Sequence, residues 1–235
     1  MTFERTDNMG LKIVTFSFDD GVEDDARLVE IFNKYKLKAT FNLNSARFTS
    51  AEKWVYKDVK DVRHLNYSRA ETLYVGHEIA AHGYSHQFME RLDGETLNNE
   101  ISLDCRLLSF LFDREISGFA YPYGTFNDSV KQALKENKIV YSRTVNSTYS
   151  FNPPKDLLEW NPTCHFTDSR LEELADTFLK SSSDGIELFY IWGHSYELVT
   201  DSDWERFEKF CEKISGKKDL LYLTNLEAVK LIFKE

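Results

Sequence analysis

Short apolar or alternating runs recur along the chain, separated by longer amphipathic stretches, which is the signature of repeated strand–helix units rather than of separate helical and sheet layers. Runs at 13–18, 39–43, 78–82, 118–121, 139–144, 186–192 and 220–223 predict seven strands. Between them Leu28, Ile31, Phe32 and Tyr35 form one helical stripe. Leu97, Ile101, Leu107, Leu108 and Leu111 approximate another, each with charged residues on the remaining face. Ser68 with Glu71, Ser169 with Glu172, and Ser202 with Glu205 fit the S-x-x-E capping box that starts a helix. Parallel strands need helical crossovers and bury both faces. The pattern therefore predicts an α/β fold, a single distorted parallel (β/α) barrel of about seven strands, with an open doubly wound sheet as the competing architecture. Residues 50–66 and 146–168 follow neither period and read as long loops.

Composition narrows the function class. The chain has 235 residues, enough for one large domain, and its 29 Lys and Arg against 39 Asp and Glu give a net charge of −10, which disfavours nucleic acid and anionic membrane surfaces as partners. Cys105, Cys164 and Cys211 are widely spaced with no CxxC, so they read as free structural thiols rather than a disulfide framework or a zinc knuckle. No run approaches the ~20 apolar residues of a membrane span, and the first twelve residues carry no apolar leader, so the expectation is a cytoplasmic protein.

Four constellations carry candidate chemistry, and each has an ordinary structural reading beside it. Asp19 and Asp20 end an apolar run just before Gly21. Adjacent acids repel, so the pair persists as a solvated turn, as a protonated acid, or beside a cation. His82 and His86 stand four apart and either converge on one ion or pack as a capping or core pair; with a carboxylate they make a His-His-Asp site open for catalysis. The segment 119–124 runs into a Pro-Tyr-Gly turn, where the Tyr123 amide either faces a developing oxyanion or belongs to a plain turn. His194 follows an aromatic run and is either a structural hydrogen-bonding residue or a general acid. All of these positions fall at or just past the C-terminal ends of predicted strands, the rim where catalytic groups of a parallel barrel meet.

These residues resemble the polysaccharide deacetylases of the NodB-homology type, carbohydrate esterase family 4, over about residues 13–198. Thr15 to Gly21 is similar to the family's TFDDG motif lengthened inside its apolar part, and His82-Gly83-Tyr84-Ser85-His86 resembles its two-histidine element. The resemblance implies one catalytic domain over 1–235, with Asp20, His82 and His86 holding a divalent metal, most plausibly zinc, and Asp19 as the base. Residues 119–124 resemble the third motif, but Ala120 stands where an arginine is usual. Arg143, ending the next predicted strand, is either its replacement or an ordinary surface or salt-bridged arginine. Glu159 and Trp160 loosely match the fourth motif, and Trp192-Gly193-His194 matches the fifth with only the histidine kept.

On this basis the expected reaction is removal of N-acetyl groups from an amino sugar in a poly- or oligosaccharide. Asp19 takes a proton from water, the Tyr123 amide receives the oxyanion, and His194 protonates the leaving amine. Trp160 and Trp192 offer faces for sugar stacking, against a plain core role. The competing readings are a hydrolase of small non-sugar amides, disfavoured by the two histidines, and a carbohydrate-binding protein without turnover, motivated by Ala120 and Gly193.

Overall fold

The first long apolar run becomes the central strand of the sheet. In the computed structural model, which describes residues 10–49 and 51–233, this strand is β1 (Leu11–Asp19), and the elements after it alternate as the periodicity predicts. They are α1 (Asp25–Lys34), β2 (Ala39–Leu43), β3 (Lys53–Tyr56), β4 (Lys60–Arg63), α2 (Tyr67–Leu73), β5 (Glu78–Ala81) and α3 (Gly94–Phe112), then β6 (Gly118–Ala120), α4 (Asp128–Glu136) and β7 (Tyr141–Arg143). The chain continues through β8 (Cys164–His165), α5 (Leu171–Lys180), β9 (Ile186–Gly193), α6 (Asp201–Ile214), β10 (Leu220–Tyr222) and α7 (Asn225–Phe233).

Seven strands in the order β7-β6-β5-β2-β1-β9-β8 form one curled parallel sheet, and β10 pairs with the start of β1. The two ends of that sheet approach each other. Arg143 on β7 bridges to Trp160, whose amide donates to the Ser142 carbonyl at 3.0 Å, and the segment from Trp160 leads into β8. The result is a distorted (β/α) barrel, as the alternation implies.

Alternation along β1 divides its side chains between two environments. Val14, Phe16 and Phe18 join the main core, where Phe18 packs on Phe32 of α1 at 5.8 Å and on Phe207 of α6 at 6.0 Å. On the other face Ile13 joins a smaller cluster with Tyr141, Trp160, Leu188, Tyr190, Ala228 and Val229. Above it this face turns polar. Thr15 donates to Asn225 at 2.8 Å, Ser17 accepts from Asn42 at 2.8 Å, and Asp19 meets Arg143. A buried hydrogen-bonded ladder thus climbs one face of the strand to the acid at its mouth.

The structure corrects several local expectations. Residues 50–66 are not a simple loop: β3 and β4 form an antiparallel hairpin, with Lys57 and Asp58 at φ 49° and 58° in its turn. Residues 146–168 contain β8. All three expected capping boxes are displaced: Asn66 caps α2, Thr200 and Asp203 form the reciprocal box on α6, and α5 starts at Arg170 without a side-chain cap. In α3, Glu100 and Asp104 are buried rather than solvated, and Leu107 is partly exposed.

Trp160 is not a sugar platform. It is 1% exposed, packed on Tyr190 at 4.6 Å and on Tyr141 at 5.4 Å, because its backbone joins the two ends of the sheet and turns its ring into the small core. Truncation there is expected to leave a cavity: Trp160→Ala destabilises the protein by about 3–5 kcal/mol in urea denaturation, and a loss below about 1 kcal/mol contradicts the core assignment.

Candidate active site

Two neighbouring residues of a strand point to opposite faces, so Asp19 and Asp20 can share a site only if the chain leaves the strand between them. It does. Asp20 and Gly21 adopt φ of 79° and 64°, and Asp20 pairs its amide with the Asn42 carbonyl at 3.0 Å. Gly21 is needed here both for its left-handed backbone and because a Cβ would lie 2.9 Å from the Leu43 side chain. Asp19 Oδ2 then lies 3.9 Å, and Asp20 Oδ1 3.7 Å, from the same atom, His82 Nε2.

His82 ends β5 with its ring fixed: Nδ1–H donates to the Ala120 carbonyl at 2.8 Å, which leaves the Nε2 lone pair facing the two acids. His86 reaches the same place through a tight loop, itself at φ 61°, and its Nε2 is 3.6 Å from Asp20 Oδ1. That loop is sewn down from α3 and β2. Glu100 accepts from the Ser85 amide and hydroxyl at 2.9 and 2.6 Å, Asp104 accepts from the His82 amide at 3.0 Å, and Asn44 donates to the His82 and Gly83 carbonyls at 2.6 Å. Glu100 and Asp104, one helical turn apart, explain why α3 buries carboxylates.

Asp20, His82 and His86 bring one oxygen and two nitrogens within 4.8 Å of one another. This donor set suits a borderline divalent cation such as zinc. Burial and the neighbouring His82 push the His86 imidazole down to about 4, so it is neutral and able to ligate near neutral pH.

Asp19 has different partners. Its Oδ1 accepts from Asn42 at 2.7 Å and its Oδ2 from Arg143, which is wholly buried. Burial alone would raise the Asp19 pKa, but Arg143, with His82 and His194, holds it below the ordinary carboxylate value. Register explains how Arg143 stands in for an arginine at 120. Ala120 on β6 is the direct partner of Arg143 on β7, so both side chains project from the same face of the sheet. Arg143 thus brings its charge to the acid from one strand beyond position 120. Its guanidinium lies over the Trp192 ring at 4.4 Å, so Trp192, like Trp160, is not free to stack a sugar.

His194 faces the acids from β9, its Nε2 3.8 Å from Asp19 and 3.9 Å from Asp20. Behind it stands Glu197, absent from the sequence reading. Its Oε2 accepts from His165 Nε2 at 2.9 Å and from the His194 amide at 3.1 Å, and lies 3.3 Å from His194 Nδ1. Burial would lower the His194 pKa, but Glu197, Asp20 and Asp19 together raise it to about 9. Gly193 belongs to this arrangement, since a Cβ there would meet the Phe166 ring at 2.2 Å and His165 at 3.0 Å. On the far side Tyr123, about half exposed and at φ 57°, sets its ring 4.5 Å from His86. The amides of Gly124 and Thr125 are spent on the Tyr121 and Pro122 carbonyls, and that of Tyr123 serves no carbonyl among the described residues.

Five of the six histidines thus surround one mouth. His64, also missed in the sequence, donates from Nδ1–H to the Asp20 carbonyl at 3.0 Å; the sixth, His77, is buried and accepts from the Ala39 amide. No local pattern marks His64, His165 or Glu197, which the fold brings together from the end of β4, from β8 and from the turn after β9.

Comparison with known proteins places the chain in a family. The family model described as polysaccharide deacetylase matches residues 6–142. The chain belongs to that family. A peptidoglycan-N-acetylglucosamine deacetylase of Bacillus cereus is 28% identical over 127 residues, 53% of this chain and 53% of that protein. The chain spans about half or less of the curated relatives it matches. Peptidoglycan deacetylase PdaC of Bacillus subtilis aligns over 97% of this chain and 93% of its own with a TM-score of 0.58 and 16% identity. A carbohydrate esterase family 4 pseudoenzyme of Bacillus anthracis aligns over 87% and 60% with a TM-score of 0.55 and 18% identity. At these identities the solved structures establish a shared fold.

Two outcomes follow from the charges. Arg143→Ala strands a buried carboxylate and is expected to cost about 3–5 kcal/mol of stability in denaturant melts, with partial recovery on adding Ala120→Arg; no recovery contradicts the strand-to-strand exchange. In the metal-free protein, His194 is expected to titrate near 9 by NMR, and Glu197→Gln to bring it down. Because the folded value is the raised one, the stability this proton contributes is present below about 6.5 and lost as pH rises through about 9. A wild-type midpoint at or below the ordinary histidine value contradicts the role given to Glu197.

Proposed function

We propose that the chain is a metal-dependent hydrolase that removes N-acetyl groups from N-acetylated amino sugars in a poly- or oligosaccharide. The observation that carries this reading is the convergence of Asp20, His82 and His86 beside a second carboxylate with its own buried arginine. Two acids are thereby given separate jobs.

Asp20, His82 and His86 would hold the metal, which when bound supplies polarisation of the acetamide carbonyl and acidification of the attacking water. Asp19, kept ionised by Arg143, takes the water proton as the carbonyl carbon is attacked. The developing oxyanion is met by the Tyr123 N–H, a contact whose loss typically costs about 3 kcal/mol of transition-state stabilisation. His194 holds a proton at Nε2 and delivers it to the amine nitrogen, because an amide anion is too basic to leave. Glu197 and His165 orient that imidazole from behind.

The reading without turnover drew its motive from Ala120 and Gly193. Arg143 supplies the charge absent at 120, and the tight packing of Phe166 and His165 accounts for Gly193, so neither departure favours it.

The test is acetate release from N-acetylglucosamine oligomers. The expected result is release that a chelator abolishes and zinc restores, with Asp19→Asn reducing it by about 10²–10⁴-fold while sugar binding survives. Release undiminished by chelator, or by Asp19→Asn, contradicts the proposed roles.

A further inference from the structure

A two-stranded hairpin standing alone is marginal in water, so β3–β4 must be held by what it touches. It is held to the active site. The Glu23 amide donates to the Arg63 carbonyl at 2.9 Å, the Leu65 amide to the Gly21 carbonyl at 2.9 Å, and Lys60 donates to Asp24 at 2.7 Å and to the Leu198 carbonyl at 3.0 Å. These bonds tie the hairpin both to the turn after Asp20 and to the loop after His194.

Alternation along β3 sends Trp54 and Tyr56 to one face, where both meet Tyr196 edge-on, at 5.5 and 5.1 Å. Tyr196 in turn lies 5.0 Å from His194, tilted by 33°, and Trp54 lies 5.0 Å from His64, which holds the Asp20 carbonyl. A chain of touching rings therefore runs outward from His194 through Tyr196 to Trp54. Trp54 and Tyr196 are only partly buried, and none of the hydrogen bonds found among the described residues uses the Tyr196 hydroxyl or the Trp54 indole.

Trp54, His64 and Tyr196 line a cleft of about 460 Å³ that also takes in Asp20 and His86. This falls within the ~300–1,000 Å³ usual for ligand sites. Arg47, Glu52 and Lys53 edge it with charge, so an apolar platform is bordered by polar groups of both signs, the combination that suits a sugar ring with its C–H face and hydroxyl rim.

We propose that Trp54 and Tyr196 form a saccharide subsite in which the hairpin binds the ring next to the sugar undergoing deacetylation. The inference rests on the saccharide reading above. The leaving amine stays on its sugar, and His194 is the group that protonates it, so the sugar body extends from the His194 side. Tyr196 is the first surface it meets and Trp54 the next, one ring farther along.

The test is calorimetric binding of N-acetylglucosamine and of its tetramer to the zinc-loaded full chain, with acetate release followed on the same preparations. The expected result is that the ratio of tetramer to monomer affinity falls about tenfold in Trp54→Ala, equivalent to about 1.4 kcal/mol, and less than about threefold in Trp54→Phe, which keeps a platform and controls for misfolding. An unchanged ratio in Trp54→Ala, or a wild type that does not bind the tetramer, overturns the subsite even if acetate is released. Tetramer binding that depends on Trp54 without acetate release supports the subsite and contradicts the deacetylase reading instead.

Discussion

Two carboxylates on consecutive residues face the same buried mouth, and everything around them compensates for that. In a low-dielectric interior neither charge survives without a partner, and a shared partner would make the two acids equivalent. The fold gives each its own. Asp19 receives Arg143 and Asn42 from neighbouring strands, whereas Asp20 is turned by its left-handed backbone toward two imidazole nitrogens. That asymmetry is what the proposed roles of base for Asp19 and metal ligand for Asp20 require.

The barrel is what makes such compensation precise in space. Asp19, Asn42, His82, Arg143 and His194 sit at or next to the C-terminal ends of five parallel strands, so register alone brings them to one rim. Register also tolerates exchange. Since Ala120 and Arg143 are direct neighbours across a parallel pair, a guanidinium can move from one strand to the next and still reach the same acid, provided a flat ring such as Trp192 supports it.

How much of this was written in the chain differs from feature to feature. The strands and the Asp-Asp-Gly and HxxxH elements were legible because periodicity and ligand chemistry are local properties. Arg143 was legible only as a choice, because its value depends on a cross-strand partner that no local pattern names. Glu197 and His165 were not legible at all; they meet behind His194 from separate segments. The hairpin was missed because its turn is Lys57-Asp58, without the glycine or asparagine that usually announces positive φ. The two tryptophans were misjudged because an aromatic residue near a rim reads the same whether it faces the cleft or the core. Trp160 and Trp192 face inward, whereas the partly buried Trp54 and Tyr196 line the cleft.

In the proposed reading a cation completes the charge balance at Asp20. Zinc titration of the purified chain by calorimetry tests it most directly, with His82→Ala and His86→Ala alongside. One ion per chain is expected, with each alanine variant weakening binding by at least the ~10–100-fold typical of changes around a metal site. Absence of saturable binding, or equal affinity without the imidazoles, would contradict it.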